Sequence, residues 1–344
     1  MKNLFDYATK ELSQDAFLRW LFENYDCENE KVRQVCQSVL GSFVGRDDFD
    51  INQVQEFRTF SQWKKIDILV VFKYKTYCYC IVIEDKTYSE EHEQLKNYNN
   101  QVENYVAWLK NNYKDCIVHL KQIFFKPMIV GKEEADRVRK ANWDIFDIEK
   151  IHKIFSRFDD TDSDILNDYI KHIEKIYSAC HFNEKPIAND CWIDWLQWLS
   201  FFNKIDKKIN KELYQTWITK AGQYPYVYMA IGIRNMPNRP YIEIQSKDCL
   251  ANKYRAKLLC YGVQNLYTQD QIAFKQDKLI EKIKSDKKWF VKNLRKKEHS
   301  FVKQIAFTPN INVKTEEDFV RAIKETLEYY LKLMETWEEI KNKV

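Results

Sequence analysis

Two apolar segments of the sequence carry charged residues where a buried strand would exclude them. Residues 66–71 are apolar except for Asp67, and residues 81–86 are apolar up to Glu84, Asp85 and Lys86. Charges beside a hydrophobic sheet are costly unless they are paired or bind a metal. These four residues are therefore the first candidates for chemistry.

The spacing of the two segments predicts that they form a hairpin. If Lys75 and Thr76 form a two-residue turn, the antiparallel register pairs residue 74 with 77, and so Asp67 with Glu84. Residues opposite each other on one sheet face have Cβ atoms roughly 5 Å apart. Lys86 then lies on the face of Glu84, and Asp85 points to the other face.

Two carboxylates at this distance repel each other unless a cation lies between them, and hard oxygen ligands suit Mg²⁺ or Mn²⁺. Such an ion leaves coordination positions for a phosphodiester and an attacking water. Lys86 could orient that water and offset developing charge. The alternative is a strand-end salt bridge that joins Glu84 or Asp67 to Lys86 or Lys65 and has no chemical role.

A helix is predicted directly after the second strand. Ser89 is a suitable N-cap, and residues 92–110 have the apolar periodicity of a helix. Gln94 and Tyr98 are four residues apart, so they lie on one helix face. A helix that begins here would present that face to the acidic pair.

Together these motifs resemble the PD-(D/E)XK nuclease superfamily, and within it a bacterial stand-alone branch. The resemblance is carried by Asp67, by Glu84-x-Lys86 and by Gln94-x-x-x-Tyr98. Residues 3–17 are similar to the N-terminal element of that branch, and residues 143–148 to its tryptophan-containing strand. The resemblance covers roughly residues 1–150 well and the remainder loosely.

The resemblance implies an α/β fold with a restriction-endonuclease-like core, in which a small mixed sheet is flanked by helices. It also implies Mg²⁺ (or Mn²⁺) bound by Asp67, Glu84 and the main-chain carbonyl of Asp85, with Lys86 at the attacking water. The proline of the family's name is replaced by Ile66, at a position that does not bind the metal.

Three further residues are assigned to the site through the resemblance. Glu11 is an additional carboxylate from the first helix, with a solvated surface charge as the alternative. Gln94 and Tyr98 position the site and the nucleic acid backbone; their alternative is a surface amide and a packing residue.

The composition indicates a folded chain with a large core. Of 344 residues, 45% are hydrophobic, and only six glycines and six prolines are present, which excludes a low-complexity chain. No apolar run reaches membrane-spanning length, and residues 1–6 lack a signal-peptide stretch. Nine cysteines, an odd number, favour reduced thiols. We therefore expect a soluble cytoplasmic protein that does not contact a membrane.

The second half offers fewer motifs. The acidic segment 158–164 predicts a boundary between a nuclease core, 1–158, and an accessory region, 159–344, that binds nucleic acid or extends the core. This region is expected to be mainly helical, with one hairpin from residues 226–234 and 241–245. Tryptophans at 192, 195 and 198 favour a core or interface helix over a base-stacking surface. Between residues 275 and 303, eleven basic residues face four acids, which fits either a phosphate-binding face or a solvated one.

The predicted function is a metal-dependent nuclease that hydrolyses phosphodiester bonds in DNA. Roles in defence against foreign DNA, restriction or repair are open, and a homodimer would suit cleavage of both strands. The alternative is a catalytically inactive or signal-gated protein that binds nucleic acid on a nuclease fold.

Overall fold

The structure of the protein is a computed structural model that describes residues 3–7, 11–63, 66–87, 94–112, 114–182, 184–186, 192–220, 226–234, 240–261, 269–292 and 302–339. The chain divides into two compact units, Met1–Ser178 and Ala179–Val344. No helix in these ranges is both long and apolar enough to cross a membrane.

The first unit is built around a five-stranded mixed sheet. Its strands are β1 (Val54–Trp63), β2 (Ile66–Tyr74), β3 (Tyr77–Asp85), β4 (Ile117–Phe125) and β5 (Asp144–Phe146), in the order β1-β2-β3-β4-β5. The β1–β2 and β2–β3 pairs are antiparallel, whereas β3–β4 and β4–β5 are parallel. A bulge shifts the β1–β2 register between Gln55 and Arg58. The expected mixed sheet with flanking helices is confirmed.

Helices cover both faces of this sheet. They are α1 (Glu11–Glu23), α2 (Glu30–Val44), α3 (Gln94–Asn112), α4 (Lys132–Lys140), α5 (Ile148–Phe155) and α6 (Asp164–Cys180). Leu95, Val102 and Leu109 of α3 are buried in one cluster with Leu69 and Val82 of the sheet. Each such side chain contributes roughly 1.5–3 kcal/mol. The other face contacts α1 and α2.

The β2–β3 hairpin has the register that the sequence predicts. Its turn is Lys75–Thr76, Tyr74 pairs with Tyr77, and the ladder continues to Ile68 opposite Ile83. Lys75 has a φ of +54°, the left-handed conformation that tight hairpin turns require. The next residues toward the open end of the hairpin are Asp67 and Glu84, so the turn determines which charged residues meet.

The first unit extends past the boundary predicted after residue 158. Tyr169 of α6 stacks on Phe17 of α1 with ring centroids 3.6 Å apart, and contacts Phe5 edge-to-face. Thr161, in the acidic segment predicted to be a linker, is fully buried, and its carbonyl accepts a hydrogen bond from Asn29. Aromatic packing therefore holds most of α6 in the first unit, which ends at Ser178.

The second unit contains the predicted hairpin within a larger sheet. Its elements are α7 (Trp192–Asp206), β6 (Tyr214–Lys220), β7 (Val227–Ile233), β8 (Tyr241–Gln245), β9 (Lys253–Tyr254), β10 (Ala256–Tyr261), α8 (Gln269–Asp286), β11 (Phe290–Val291), β12 (Val302–Phe307), β13 (Ile311–Asn312) and α9 (Glu316–Glu339). Six strands form an antiparallel sheet in the order β11-β12-β10-β8-β7-β6, and β13 pairs with β9. The sequence predicted only the β7–β8 hairpin.

The core of the second unit lies between this sheet and its helices. Trp195 and Trp198 of α7 are buried, as the core interpretation of the tryptophan repeat predicts. The side chain of Trp192 lies outside the described residues, as do residues 293–301 of the lysine-rich segment. Phe201 of α7 contacts Phe319 of α9 edge-to-face, and Phe319 contacts Tyr254.

Candidate active site

Strands β2 and β3 bring the predicted charged residues to one edge of the first sheet. Asp67 is the second residue of β2, and Glu84 and Asp85 are the last two residues of β3. Because the strands are antiparallel, the beginning of β2 and the end of β3 lie side by side. The apolar residues of both strands anchor the sheet, and the charged residues stand where the strands leave the core.

Glu84 is almost completely buried. Only 2% of the residue is exposed. Its Oε1 lies 2.7 Å from Nζ of Lys86, so the two side chains share a sheet face, as the period of two predicts. Its Oε2 is buried and contacts no hydrogen-bond donor among the described residues. A buried oxygen without a donor is costly, and a bound cation would satisfy it.

Burial and a neighbouring negative charge raise the pKa of Glu84 to about 7. Desolvation is the largest cause, and the charge of Asp67 is the second; the nearby Lys86 ammonium opposes both. The two carboxylates therefore lie close enough to affect each other's charge. Without a further cation, the pair favours retention of a proton near neutral pH.

Hydrogen bonds fix the orientation of the Asp67 carboxylate. Its Oδ2 accepts from the backbone N–H of Asp85 at 2.9 Å, and its Oδ1 accepts from the side-chain amide of Gln62 at 3.1 Å. Gln62 lies near the end of β1 with a φ of +48°, a conformation that is uncommon for residues other than glycine. The sequence did not identify Gln62, because its bond depends on the pairing of β1 with β2.

The Asp85 side chain lies on the opposite face of the sheet. It is fully buried, and the side-chain amide of Gln14 in α1 donates a hydrogen bond to its Oδ1. Burial, and then the charge of Asp85, raise the pKa of Tyr169. The main-chain carbonyl of Asp85 accepts a hydrogen bond from Lys86 at 3.1 Å. Asp85 thus has its side chain fixed on one face while its backbone carbonyl lies at the candidate site.

The remaining predicted residues are described only in part. Tyr98 is 8% exposed and belongs to the cluster that packs α3 on the sheet. Gln94 and Glu11 are the first residues of α3 and α1, and their side chains lie outside the described residues. Lys65 and Ser89 also lie outside them.

A buried ion pair lies one strand away and was not predicted. Lys126 follows β4 directly, and its Nζ lies 2.9 and 2.8 Å from the two carboxylate oxygens of Glu134 in α4. Both residues are only 4% exposed. The parallel register pairs Asp85 with Phe125, so Lys126 follows β4 as Lys86 follows β3. The feature of the sequence that could have indicated this ion pair is a lysine that directly follows an apolar strand.

The donor set at this edge suits a hard divalent cation. Asp67, Glu84 and the Asp85 carbonyl supply only oxygen atoms, the ligands that Mg²⁺ and Mn²⁺ prefer. No group of three or more His, Cys, Asp or Glu residues suited to a metal occurs in the part of the chain that the structure describes. Two carboxylates and a carbonyl therefore form the candidate set, and Lys86 contacts two of its three members.

Comparison with known proteins gives one match. A family model described as the PD-(D/E)XK nuclease superfamily matches residues 2–157. No curated protein and no solved structure matches the chain. The matched range contains every residue of the candidate site and ends shortly before α6.

Proposed function

Because residues 2–157 belong to the PD-(D/E)XK nuclease superfamily, we propose that this protein is a metal-dependent nuclease that hydrolyses phosphodiester bonds in DNA. The observation that carries the proposal is the meeting of Asp67, Glu84 and Lys86 at one sheet edge. Glu84 supports it most strongly, since it is buried, lies beside a second carboxylate, and has one oxygen without a donor among the described residues.

Asp67, Glu84 and the main-chain carbonyl of Asp85 would hold Mg²⁺ or Mn²⁺. A bound divalent ion polarises a phosphoryl oxygen and lowers the pKa of a coordinated water. The residues of the chain supply its orientation. The Asp85 N–H and the Gln62 amide hold the Asp67 carboxylate, and Gln14 holds Asp85 from the other face.

Lys86 is proposed to act on the attacking water. Its side chain is only 12% exposed, and its ammonium group contacts Glu84 and the Asp85 carbonyl. A cation in this position orients a water by hydrogen bonding and offsets negative charge on the phosphoryl oxygens in the transition state. Glu11 as an extra carboxylate, with Gln94 and Tyr98 contacting the nucleic acid backbone, completes the proposed site.

Cleavage of defined substrates tests this function. The purified full chain is incubated with circular duplex DNA, linear duplex DNA, single-stranded DNA and RNA, in Mg²⁺, Mn²⁺ or EDTA. We expect metal-dependent cleavage of DNA that Asp67→Asn, Glu84→Gln and Lys86→Ala each abolish. The circular substrate distinguishes cleavage within the strand from cleavage at ends.

A matched control separates loss of chemistry from general damage. Lys73 lies on β2, and its ammonium forms an ion pair with Glu56 at 2.5 Å that is partly exposed. Lys73→Ala therefore removes a lysine and an ion pair from the same hairpin, away from the candidate site, and should retain full cleavage. If the wild-type protein cleaves and the site variants cleave equally well, the assignment of these residues is wrong.

The same experiments test the preference for DNA, the homodimer and the presence of catalysis separately. Preference for RNA over DNA would correct the substrate. Nicking of circular duplex by a monomer in sedimentation analysis would contradict the proposed homodimer, because one site then acts on one strand. Binding of nucleic acid in EDTA without cleavage under any metal condition would favour the catalytically inactive or signal-gated alternative.

A further inference from the structure

The six-stranded sheet of the second unit has two faces of different character. In β10, Ala256, Leu258 and Cys260 are buried, whereas Lys257 and Leu259 between them are half-buried, as is Arg255 just before the strand. Alternate residues of an extended chain point to the same side, so Tyr254 points to the side of Ala256, Leu258 and Cys260. Tyr254 forms a hydrogen bond with Thr326 of α9, so this buried set faces α9. The opposite side, which we call the open face, carries the half-buried set.

The open face can be followed across the sheet by strand register. Trp217 pairs with Ala230, Ala230 with Glu243, Glu243 with Lys257, Lys257 with Phe307, and Phe307 with Phe290. This row therefore spans all six strands, or about 24 Å at roughly 4.8 Å per strand. Tyr228 and Tyr241 lie on the same face in the neighbouring rows. An aromatic side chain lies at each end of the row, and charged side chains lie in its middle.

Trp217 is positioned as a stacking surface. The position that a Cβ atom on Gly232 would take lies 3.4 Å from Cζ3 and 3.6 Å from Cη2 of the Trp217 ring. The indole therefore rests against the neighbouring strand where no side chain intervenes. The residue is nevertheless 49% exposed, and Phe290 at the other end of the row is 57% exposed. The open face therefore carries one exposed aromatic side chain at each end of the row.

The cations of the open face are held by aromatic rings. The Arg255 guanidinium lies 4.1 Å from the centroid of Phe307, and the Lys247 ammonium lies 3.9 Å from that of Tyr226. No described carboxylate forms an ion pair with either cation. Lys257, by contrast, is paired with Asp248 at 2.5 Å. Arg255 and Lys247 can therefore contact an anion while they rest on their rings.

We propose that the open face binds single-stranded nucleic acid. Such a ligand presents base rings that stack on aromatic side chains, and phosphates that contact cations. The open face offers both, with exposed aromatic surfaces at Trp217 and Phe290 and cations at Arg255 and Lys247. An apolar protein partner would instead bury the charged centre of the row at a cost.

This proposal goes beyond the nuclease proposal, because the open face belongs to the other unit and needs no cleavage. The test uses the full chain in EDTA and follows the fluorescence anisotropy of a labelled oligodeoxythymidine, with oligouridine and a duplex DNA alongside. We expect the single strands to bind more tightly than the duplex. Trp217→Ala and Phe290→Ala should each weaken binding by roughly tenfold or more, the usual effect of removing the aromatic ring on which one base stacks.

Two further variants make the test specific. Trp108 of α3 is 50% exposed, so Trp108→Ala removes an equally exposed tryptophan from the first unit and should not change the affinity. Arg255→Gln should weaken binding of every single strand. It should also make binding less sensitive to salt, because the slope of log affinity against log salt concentration decreases in magnitude by about 0.7 for each phosphate that the protein no longer neutralises. Unchanged thermal unfolding of the variants would show that the sheet is intact.

Several results would overturn the proposal. If Trp217→Ala and Trp108→Ala bind the single strands with equal affinity, the open face is not the binding surface. If the duplex binds as tightly as the single strands, the protein has no preference for single strands. A dimer in sedimentation that Trp217→Ala dissociates would show that a second copy covers the open face instead. Lys73→Ala, a change in the first unit away from the candidate active site, should keep wild-type affinity. Because the binding assay in EDTA needs no cleavage, failure of the nuclease proposal and failure of this one are separate results.

Discussion

Replacement of Glu84 by glutamine tests the electrostatics of the candidate site without any substrate. The substitution keeps the shape of the side chain and removes its charge. In the folded protein without metal, burial and the Asp67 charge raise the pKa of Glu84 from its ordinary value near 4.5 to about 7. In the unfolded chain the same carboxyl ionises at its ordinary pKa. Glu84 thus binds its proton more tightly in the folded state.

The size and sign of the effect follow from this difference. At about 1.4 kcal/mol per pKa unit, the difference corresponds to roughly 3 kcal/mol. Below about pH 4.5 the carboxyl is protonated in both states and costs nothing. As the pH rises through the folded-state pKa of about 7, the wild-type protein loses this stability, because ionisation must then occur in a buried site. Glu84→Gln should therefore be more stable than wild type at about pH 8, by up to roughly 3 kcal/mol, and should gain much less at about pH 5.

Urea titrations in EDTA measure this difference in stability between Glu84→Gln and wild type. At each urea concentration a short hydrogen-exchange pulse labels the unfolded molecules. Peptides from β2 and β3 report the first unit separately from the second. Mg²⁺ should stabilise the wild-type protein at about pH 8 and have little effect on Glu84→Gln. If the difference between variant and wild type is the same at both pH values, Glu84 does not titrate as a buried group coupled to a neighbouring charge.

Substitutions at three other positions give distinct outcomes, each measured as a free energy of unfolding by the same urea titration. Glu134→Gln should destabilise the first unit by about 3–5 kcal/mol, since it leaves the Lys126 ammonium buried without its partner charge. A change below about 1 kcal/mol would show that the pair is hydrated. Gln14→Ala should lower the free energy of unfolding by about 1.5–3 kcal/mol, because it removes a donor from the buried Asp85 carboxylate. Gln14→Glu should destabilise the protein more than Gln14→Ala does. An equal cost for both variants would refute a hydrogen-bond role for Gln14. Gly45→Ala should cost about 1 kcal/mol, because Gly45 ends α2 at a φ of +71°, and a neutral result would mean that the helix end rearranges.

The sequence was sufficient for the β2–β3 hairpin because its register depends on local information. A two-residue loop leaves one pairing that places the apolar residues of both strands correctly. The meeting of Asp67 with Glu84, and the opposite direction of Asp85, follow from that pairing. The helical periodicity of residues 92–110 was equally local, and α3 occupies Gln94–Asn112. The resemblance to the nuclease superfamily added the fold around the hairpin, and the family match agrees with it.

The contacts that the sequence missed join residues far apart in the chain. Gln14 reaches Asp85 only because α1 packs on the sheet face opposite the candidate site. The second sheet inserts β10 between β8 and β12, and no local pattern specifies that order. The extent of the first unit, which runs to Ser178, also depends on contacts between distant residues. The acidic segment 158–164 gives no sign of the contacts that Tyr169 of α6 makes with Phe17 and Phe5.

The bulge in β1 affects how the first unit behaves at high concentration. β1 is one edge of the sheet, and Glu56 within its bulge has a φ of +50°. The other edge, β5, has only three residues. An irregular edge and a short edge are both poor templates for a strand from another molecule. Sheet-to-sheet aggregation through the first unit is therefore disfavoured, and a dimer of this protein would associate through helices, loops or the second unit.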